Sequence, residues 1–377
     1  MVIAVLKGWI VHNILIAPRK YVQGRNALAQ AGKHFKILGK KPLVLWDATV
    51  KSIVGKTLLD SLAEESLEAV DVDFKGDCTR KEVDRVIGII KDKGADIAVG
   101  VGGGKALDTA KAVAIETGIR IVTCPTIAST DSPTSAASVW YDDDGNCTGF
   151  DCWPFNPDLV LVDSLVISRG PARALVAGMG DALATWVEAK VALQTGAGNI
   201  AGGVSTLAAM AIAELGYEVL LEHGIEAKRA VEASVLTPSV EKVIEANILH
   251  SGLGFESGGL ATAHMIANCL PSFPECRHLM HGEEVAFGVI SQLCLDKAVS
   301  MDEVYEAVDF EVAVGLPVTF ADIGLEGVSP DRLRTIGDTC ASEGSLCGSH
   351  CFKVTSEAVV DAMIAADALG TECKRLA

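Results

Sequence analysis

The stretch over residues 95–113, Ala-Asp-Ile-Ala-Val-Gly-Val-Gly-Gly-Gly-Lys-Ala-Leu-Asp-Thr-Ala-Lys-Ala-Val, constrains this chain most. It opens with an apolar run of strand length, carries Gly100, Gly102, Gly103 and Gly104 in its middle, and ends Ala-rich with helical spacing. The pattern predicts a strand, a glycine turn and a helix. Glycines there allow positive φ and close backbone approach, and the N–H groups and positive dipole end of a new helix attract an anion such as a phosphate. A glycine-rich turn with no ligand is the alternative, so the remaining residues must decide. The usual G-x-G-x-x-G fingerprint does not fit, because Lys105 stands at the third glycine and the candidate acidic residue lies upstream. A P-loop lacks its Gly-Lys-Ser/Thr ending.

Strand and helix patterns alternate around this stretch. Short strand signals fall at residues 14–16 and 42–47, helical periodicity at 54–66, a strand at 69–74 and a helix at 80–93 with Thr79 as N-cap. Further strands fall at 119–124 and 158–163. Residues 138–141 followed by Asp142-Asp143-Asp144-Gly145 predict a hairpin turn. A βαβα order predicts a parallel, doubly wound, Rossmann-like sheet. Asp47 closes its strand at the sheet edge where ligands bind, and is either a ribose acceptor or a helix N-cap. After the strand at 119–124 comes the hydroxyl-rich loop 125–135, whose Ser and Thr hydroxyls suit a phosphate or ribose and whose Asp131 suits a polyol hydroxyl. A solvated loop is the plain alternative.

From residue 171 almost every segment is Ala, Leu, Val and Glu-rich with helical spacing. The expected organisation is an α/β domain over 1–165 and an all-α domain over 166–377. Within the second, Asp181 lies in a small apolar helix start, where a buried carboxylate needs a partner or a metal. His264 lies in another small-residue helix, and His281 follows seventeen residues on. One carboxylate and two imidazoles with an open position is the donor set of catalytic zinc, although their spacing is no local metal motif.

Composition narrows the classes. With 377 residues, 49% hydrophobic and 21% charged, the chain is globular and long enough for two domains. A net charge of -17 argues against nucleic acid or an anionic membrane as partner. Eleven cysteines without CxxC spacing indicate reduced thiols. No apolar run reaches a membrane span, and residues 1–6 lack the features of a signal peptide, so a cytoplasmic protein is expected.

Together these motifs resemble the iron-containing (group III) alcohol dehydrogenase superfamily, on its glycerol-type branch. The likeness rests on Gly102-Gly103-Gly104-Lys105 with Asp108 and Lys111, on residues 125–131, on residues 180–186, on residues 254–261 and on His281-Gly282-Glu283. It implies a dehydroquinate synthase-like fold and NAD-dependent oxidation of glycerol, or a related vicinal diol, to dihydroxyacetone or its equivalent. It also implies a small polyol substrate and a homo-oligomer. By the same resemblance, NAD would meet Asp47, Gly102, Gly103, Gly104, Lys105, Asp108, Thr126, Ser129, Ser135, Ala137 and Tyr141. Asp131 would touch the polyol, and Asp181, His264 and His281 would hold zinc. Asp47 would repel a 2′-phosphate, which favours NAD over NADP. Thr185 stands where the iron-type branch has a histidine one turn after the Asp, which favours zinc. Departures from the family pattern are Glu284 for a lysine, Met280 for an aromatic, Ala137 for a larger apolar residue, and Cys152 and Trp153 within 149–154. A dehydroquinate-synthase-like or glycerol-1-phosphate enzyme would need a basic cluster for which Arg277 is a thin candidate. A catalytically silent NAD-binding protein is the other alternative.

Overall fold

The computed structural model describes residues 11–377; the reading made of residues 1–6 lies outside them. Six parallel strands form one sheet in the order β1-β8-β5-β4-β2-β3. They are β1 (Tyr21–Gly24), β2 (Pro42–Trp46), β3 (Val70–Asp73), β4 (Ile97–Gly102), β5 (Arg120–Pro125) and β8 (Leu159–Asp163). Helices α1 (Ala31–Phe35), α2 (Ala48–Glu64), α3 (Arg80–Lys93) and α4 (Gly104–Thr117) alternate with them, and α5 (Ser164–Ser168) follows β8. Strands β6 (Ala137–Tyr141) and β7 (Cys147–Cys152) pair antiparallel as a separate hairpin.

Helices on both faces explain why the central strands read as unbroken apolar runs. Val44 and Trp46 of β2 join Val99 and Val101 of β4 in one core, while Leu43 and Leu45 join Ala98 and α3 residues Val83 and Val86 in the other. Two-residue alternation thus serves two cores. Thr79 caps α3 by accepting from the N–H of Glu82. The strand expected at residues 14–16 is absent: only Asn13 makes an isolated bridge, to Val204. The edge strand lies at Tyr21–Gly24, where β8 offers a parallel partner.

Everything after α5 is helical or irregular: α6 (Ala172–Thr195), α7 (Leu207–Glu232), α8 (Pro238–Glu245), a π-helical turn Ala246–His250, α9 (Ser251–Gly258), α10 (Thr262–Cys269), α11 (His281–Leu295), α12 (Met301–Val314), α13 (Pro330–Cys340) and α14 (Ser356–Leu376). No described helix is long and apolar enough to cross a membrane. All eleven cysteines carry free thiols. The chain divides into two compact units less simply than a cut between 165 and 166. The α/β unit takes residues 16–172 and also 229–252, and the helical unit takes 11–15, 173–228 and 253–377.

One core group of the helical unit is out of place on physical grounds. Glu311 of α12 is fully buried, and neither carboxylate oxygen has a hydrogen-bond partner among the described residues. Burial drives its carboxyl well above the usual value, so the folded protein holds it neutral. The unfolded chain ionises it at a lower pH, so the fold loses stability as pH rises through the unfolded value of about 4.3 towards the folded one. Glu311→Gln is expected to raise the melting temperature at neutral pH, with the gain vanishing at acidic pH; thermal scans across pH check this, and equal melting at neutral pH contradicts it.

Candidate functional site

In the α/β unit the sheet order reverses at β2, which has β3 on one side and β4 on the other. Ligands of open α/β sheets bind at the carboxyl ends of strands at such a switch point. Asp47 follows β2, and its side chain accepts from the N–H of Val50, so it is an N-cap of α2 at the expected sheet edge. Gly102 ends β4 at φ 147°, a conformation side chains disfavour, and Gly103 caps α4 without a side-chain bond. The glycine turn abuts the hydroxyl loop, since Thr126 N–H donates to the Gly102 carbonyl at 3.1 Å.

Asp108 and Lys111 turn inward from α4. The Lys111 ammonium is 2.8 Å from Asp108 and also donates to the carbonyls of Ser132 at 2.9 Å and Ser135 at 3.3 Å. Asp108 accepts from the Ser132 hydroxyl at 2.7 Å and from Val139 N–H at 3.0 Å. Ser135, whose hydroxyl lies 3.0 Å from Lys111, is buried, as is Ser129. This buried pair pins loop and hairpin together. Lys105 instead pairs with Asp77 and lies over the Tyr141 ring. Ala137 opens β6, beside which the unusual Trp153 donates its indole N–H to the Ser138 hydroxyl at 2.8 Å.

The other side of the hydroxyl loop docks on the π-helical turn, a feature that frees carbonyls from the helical ladder. Thr134 donates to the Ile248 carbonyl at 2.7 Å, Asn247 to the Ala128 carbonyl at 3.0 Å, and the Ser251 hydroxyl to the Asp131 carboxylate at 3.0 Å. No spacing in the sequence announces these contacts.

In the helical unit Asp181, His264 and His281 meet. Asp181 sits in the middle of α6, not at a helix start, and is buried. His264 lies in the first turn of α10, and His281 begins α11. The Nε2 atoms of His264 and His281 lie 3.4 and 3.7 Å from Asp181 Oδ1, and all three donor atoms fall within 4.8 Å of one another. Donors at zinc bond lengths in a tetrahedron are about 3.3 Å apart, so the set fits a divalent ion. The His281 side chain is 39% exposed, which leaves one side of the site open. Burial alone would lower the His264 pKa, but Glu188 and Asp181 outweigh it and hold the imidazole well above its usual value, the expected response of a ring facing carboxylates.

Backbone contact fixes the crossing of α6 and α11. A Cβ on Gly282 would lie 1.7 Å from the Ala177 carbonyl oxygen, and one on Gly180 would lie 2.3 Å from the Gly282 carbonyl oxygen. Arg173 of α6 adds a two-pronged bond to Glu283 at 2.6 and 2.7 Å, and Glu283 accepts from Met280 N–H at 2.8 Å. Glu284, where the family pattern has lysine, is buried 3.8 Å from His281 Nδ1, an ion-pair distance too long for a hydrogen bond.

Two residues that the motifs did not single out surround His264. Glu188, on α6 two turns beyond Asp181, accepts from His264 Nδ1 at 2.5 Å and from the N–H groups of Ala261 and His264, each at 2.9 Å. Gln292 of α11 accepts from the N–H groups of Thr262 and Ala263, each at 2.8 Å. Each is one of several polar residues in its helix, so the sequence does not set it apart.

A family profile described as iron-containing alcohol dehydrogenase matches residues 18–164. The chain is 43% identical to the glycerol dehydrogenase of Pseudomonas putida over 94% of its own length and 97% of that protein's. It is also 43% identical to the glycolaldehyde reductase of Halobacterium salinarum, over 95% and 98% of the two lengths. Among solved structures, the glycerol dehydrogenase of Schizosaccharomyces pombe superposes with a TM-score of 0.92 at 33% identity, covering 97% of this chain and 93% of that one.

Because no side-chain rotation relieves a clash with backbone, Gly282→Ala is expected to cost at least about 2 kcal/mol of stability. Denaturant titration checks it; an unchanged midpoint contradicts the crossing.

Proposed function

The chain belongs to the iron-containing alcohol dehydrogenase family, and on that premise we propose that it oxidises glycerol, or a related vicinal diol, to the hydroxyketone with NAD as acceptor and zinc as resident metal. The observation that carries this reading is the convergence of Asp181, His264 and His281. When bound, a divalent ion supplies Lewis acidity that lowers the pKa of a substrate hydroxyl, and NAD supplies the hydride acceptor.

The chain's own residues do the rest. Asp181 brings the negative charge that favours a cation, and the two imidazoles leave the exposed side beside His281 for substrate. Asp131, its carboxylate steered by Ser251, accepts from a polyol hydroxyl. On the dinucleotide side, the first N–H groups of α4 and the flat approach at Gly102, Gly103 and Gly104 receive the pyrophosphate. Thr126 and Ser129 line the cofactor's path, with Ala137 and Tyr141 at its edge. Lys105, Asp108 and Ser135 serve it from behind, through the contacts that shape the loops. Asp47 accepts from the adenosine ribose hydroxyls and repels a 2′-phosphate.

Glycolaldehyde reduction is a second reading, favoured by the relative of that name. It is the same hydride transfer run backwards on a two-carbon substrate, so a diol panel separates the two. The alternatives with a phosphorylated substrate find little support, because Arg173, the cation of α6 that reaches the start of α11, already binds Glu283 through both carboxylate oxygens.

NAD reduction is expected with glycerol and to fall with a chelator; inactivity across glycerol, ethylene glycol and their relatives would sink the proposal. His264→Ala is expected to lose bound zinc and turnover together, whereas a metal-free yet fully active variant would refute the metal's role. Asp47→Ser is expected to narrow the preference for NAD over NADP by about tenfold or more, roughly one lost charge repulsion, read as the ratio of kcat/KM values.

A further inference from the structure

Every α-helix starts with four N–H groups that lack a partner within the helix. In α10 these belong to Ala261, Thr262, Ala263 and His264, and all four are met by two buried side chains. Glu188 takes the first and the last, and Gln292 the middle two. Their carriers matter: α6 bears Glu188 and Asp181, and α11 bears Gln292 and His281. Seven residues separate the pair on α6 and eleven the pair on α11, whole numbers of turns to within a fraction, so cap and ligand share one face of each helix.

We infer that Glu188 and Gln292 are positioning residues that set the metal affinity of this chain, by holding the first turn of α10 against the two other ligand-bearing helices. Glu188 does a second thing. A carboxylate only accepts hydrogen bonds, so its contact at 2.5 Å keeps a proton on Nδ1, and the neutral ring that a metal takes then has its lone pair on Nε2, the atom facing Asp181. An amide in its place cannot serve both needs. With its oxygen on the two N–H groups it presents NH₂ to Nδ1, and the ring proton moves to Nε2, where it blocks the ligand position. With its oxygen on Nδ1 it turns donors towards donors and uncaps the helix. Gln292 is locked the other way round, since its own NH₂ donates to the Val187 carbonyl of α6 at 3.2 Å.

The inference rests on the metal reading given above, and its test separates the two. Zinc affinity of the whole protein is measured by competition with a chromogenic chelator for the wild type, Glu188→Gln and Gln292→Met, alongside thermal unfolding of each metal-free protein. Glu188→Gln is expected to weaken zinc binding about 10- to 100-fold, the range of partners that orient a metal-bound histidine, and to do so without a matching loss of metal-free stability. Gln292→Met is expected to weaken it less, because the His264 tautomer is kept. Affinity within twofold of wild type in folded Glu188→Gln overturns the inference, as does a loss that stability alone accounts for. Should the variants not fold, amide exchange in the wild type decides. Residues 261–264 are expected to be protected before zinc is added; protection that arises only with zinc overturns pre-positioning. A wild type that binds no zinc removes the metal reading itself, and this inference with it.

Discussion

A carboxylate with no exposed surface must be supplied with donors from within, and the helical unit depends on how Glu188 is supplied. Its three hydrogen bonds all come from the first turn of α10, two from backbone and one from an imidazole. The helix dipole adds to them, because the positive end of α10 faces the charge. Satisfying one buried ion therefore ties a histidine-bearing helix to the helix that bears the aspartate. Gln292 closes the same arrangement from α11, and the glycine crossing sets how closely α6 and α11 approach. The three donor atoms meet because their helices are bound by polar contacts that water cannot replace.

The α/β unit uses a related device at the carboxyl edge of its sheet. Lys111 and Asp108 are buried within α4, and between them they hold two carbonyls, two hydroxyls and a strand N–H. A loop as rich in serine and threonine as 125–135 has many ways to satisfy itself with water. The buried ion pair removes most of them, and the π-helical turn fixes its far side through Ile248, Asn247 and Ser251. What looks like a solvated loop is thereby given a defined backbone beside the glycine turn.

Features carried by local chemistry were legible in the chain: the strand and helix flanking the glycines, the Thr79 cap, the hairpin at Asp142 to Gly145, and a helical second half. Those that depend on a distant partner were not. Residues 14–16 look more like a strand than Tyr21–Gly24, but β8 pairs only with the latter. Segment 229–252 is as helical as its neighbours, so nothing in its composition shows that it packs with the α/β unit. Asp181, His264 and His281 were recognisable as donors by residue type, with a family resemblance to group them. Glu188 and Gln292 were not, because a cap reaching across 76 or 30 residues leaves no spacing to read.

The crossing at Gly180 and Gly282 also limits how such a site can change over evolutionary time. Proteins commonly retune a binding site by exchanging a packing residue, which lets one helix slide over another by a fraction of an ångström. Here main chain rests on main chain at the closest approach, with the Ala286 and Leu316 side chains only beside it, so exchanging them does not change the spacing. The distance between the aspartate and the second histidine is fixed like marks on a ruler. A lineage carrying this crossing adapts to a different ion by replacing a donor, one residue at a time, and not by stretching the frame that holds the donors.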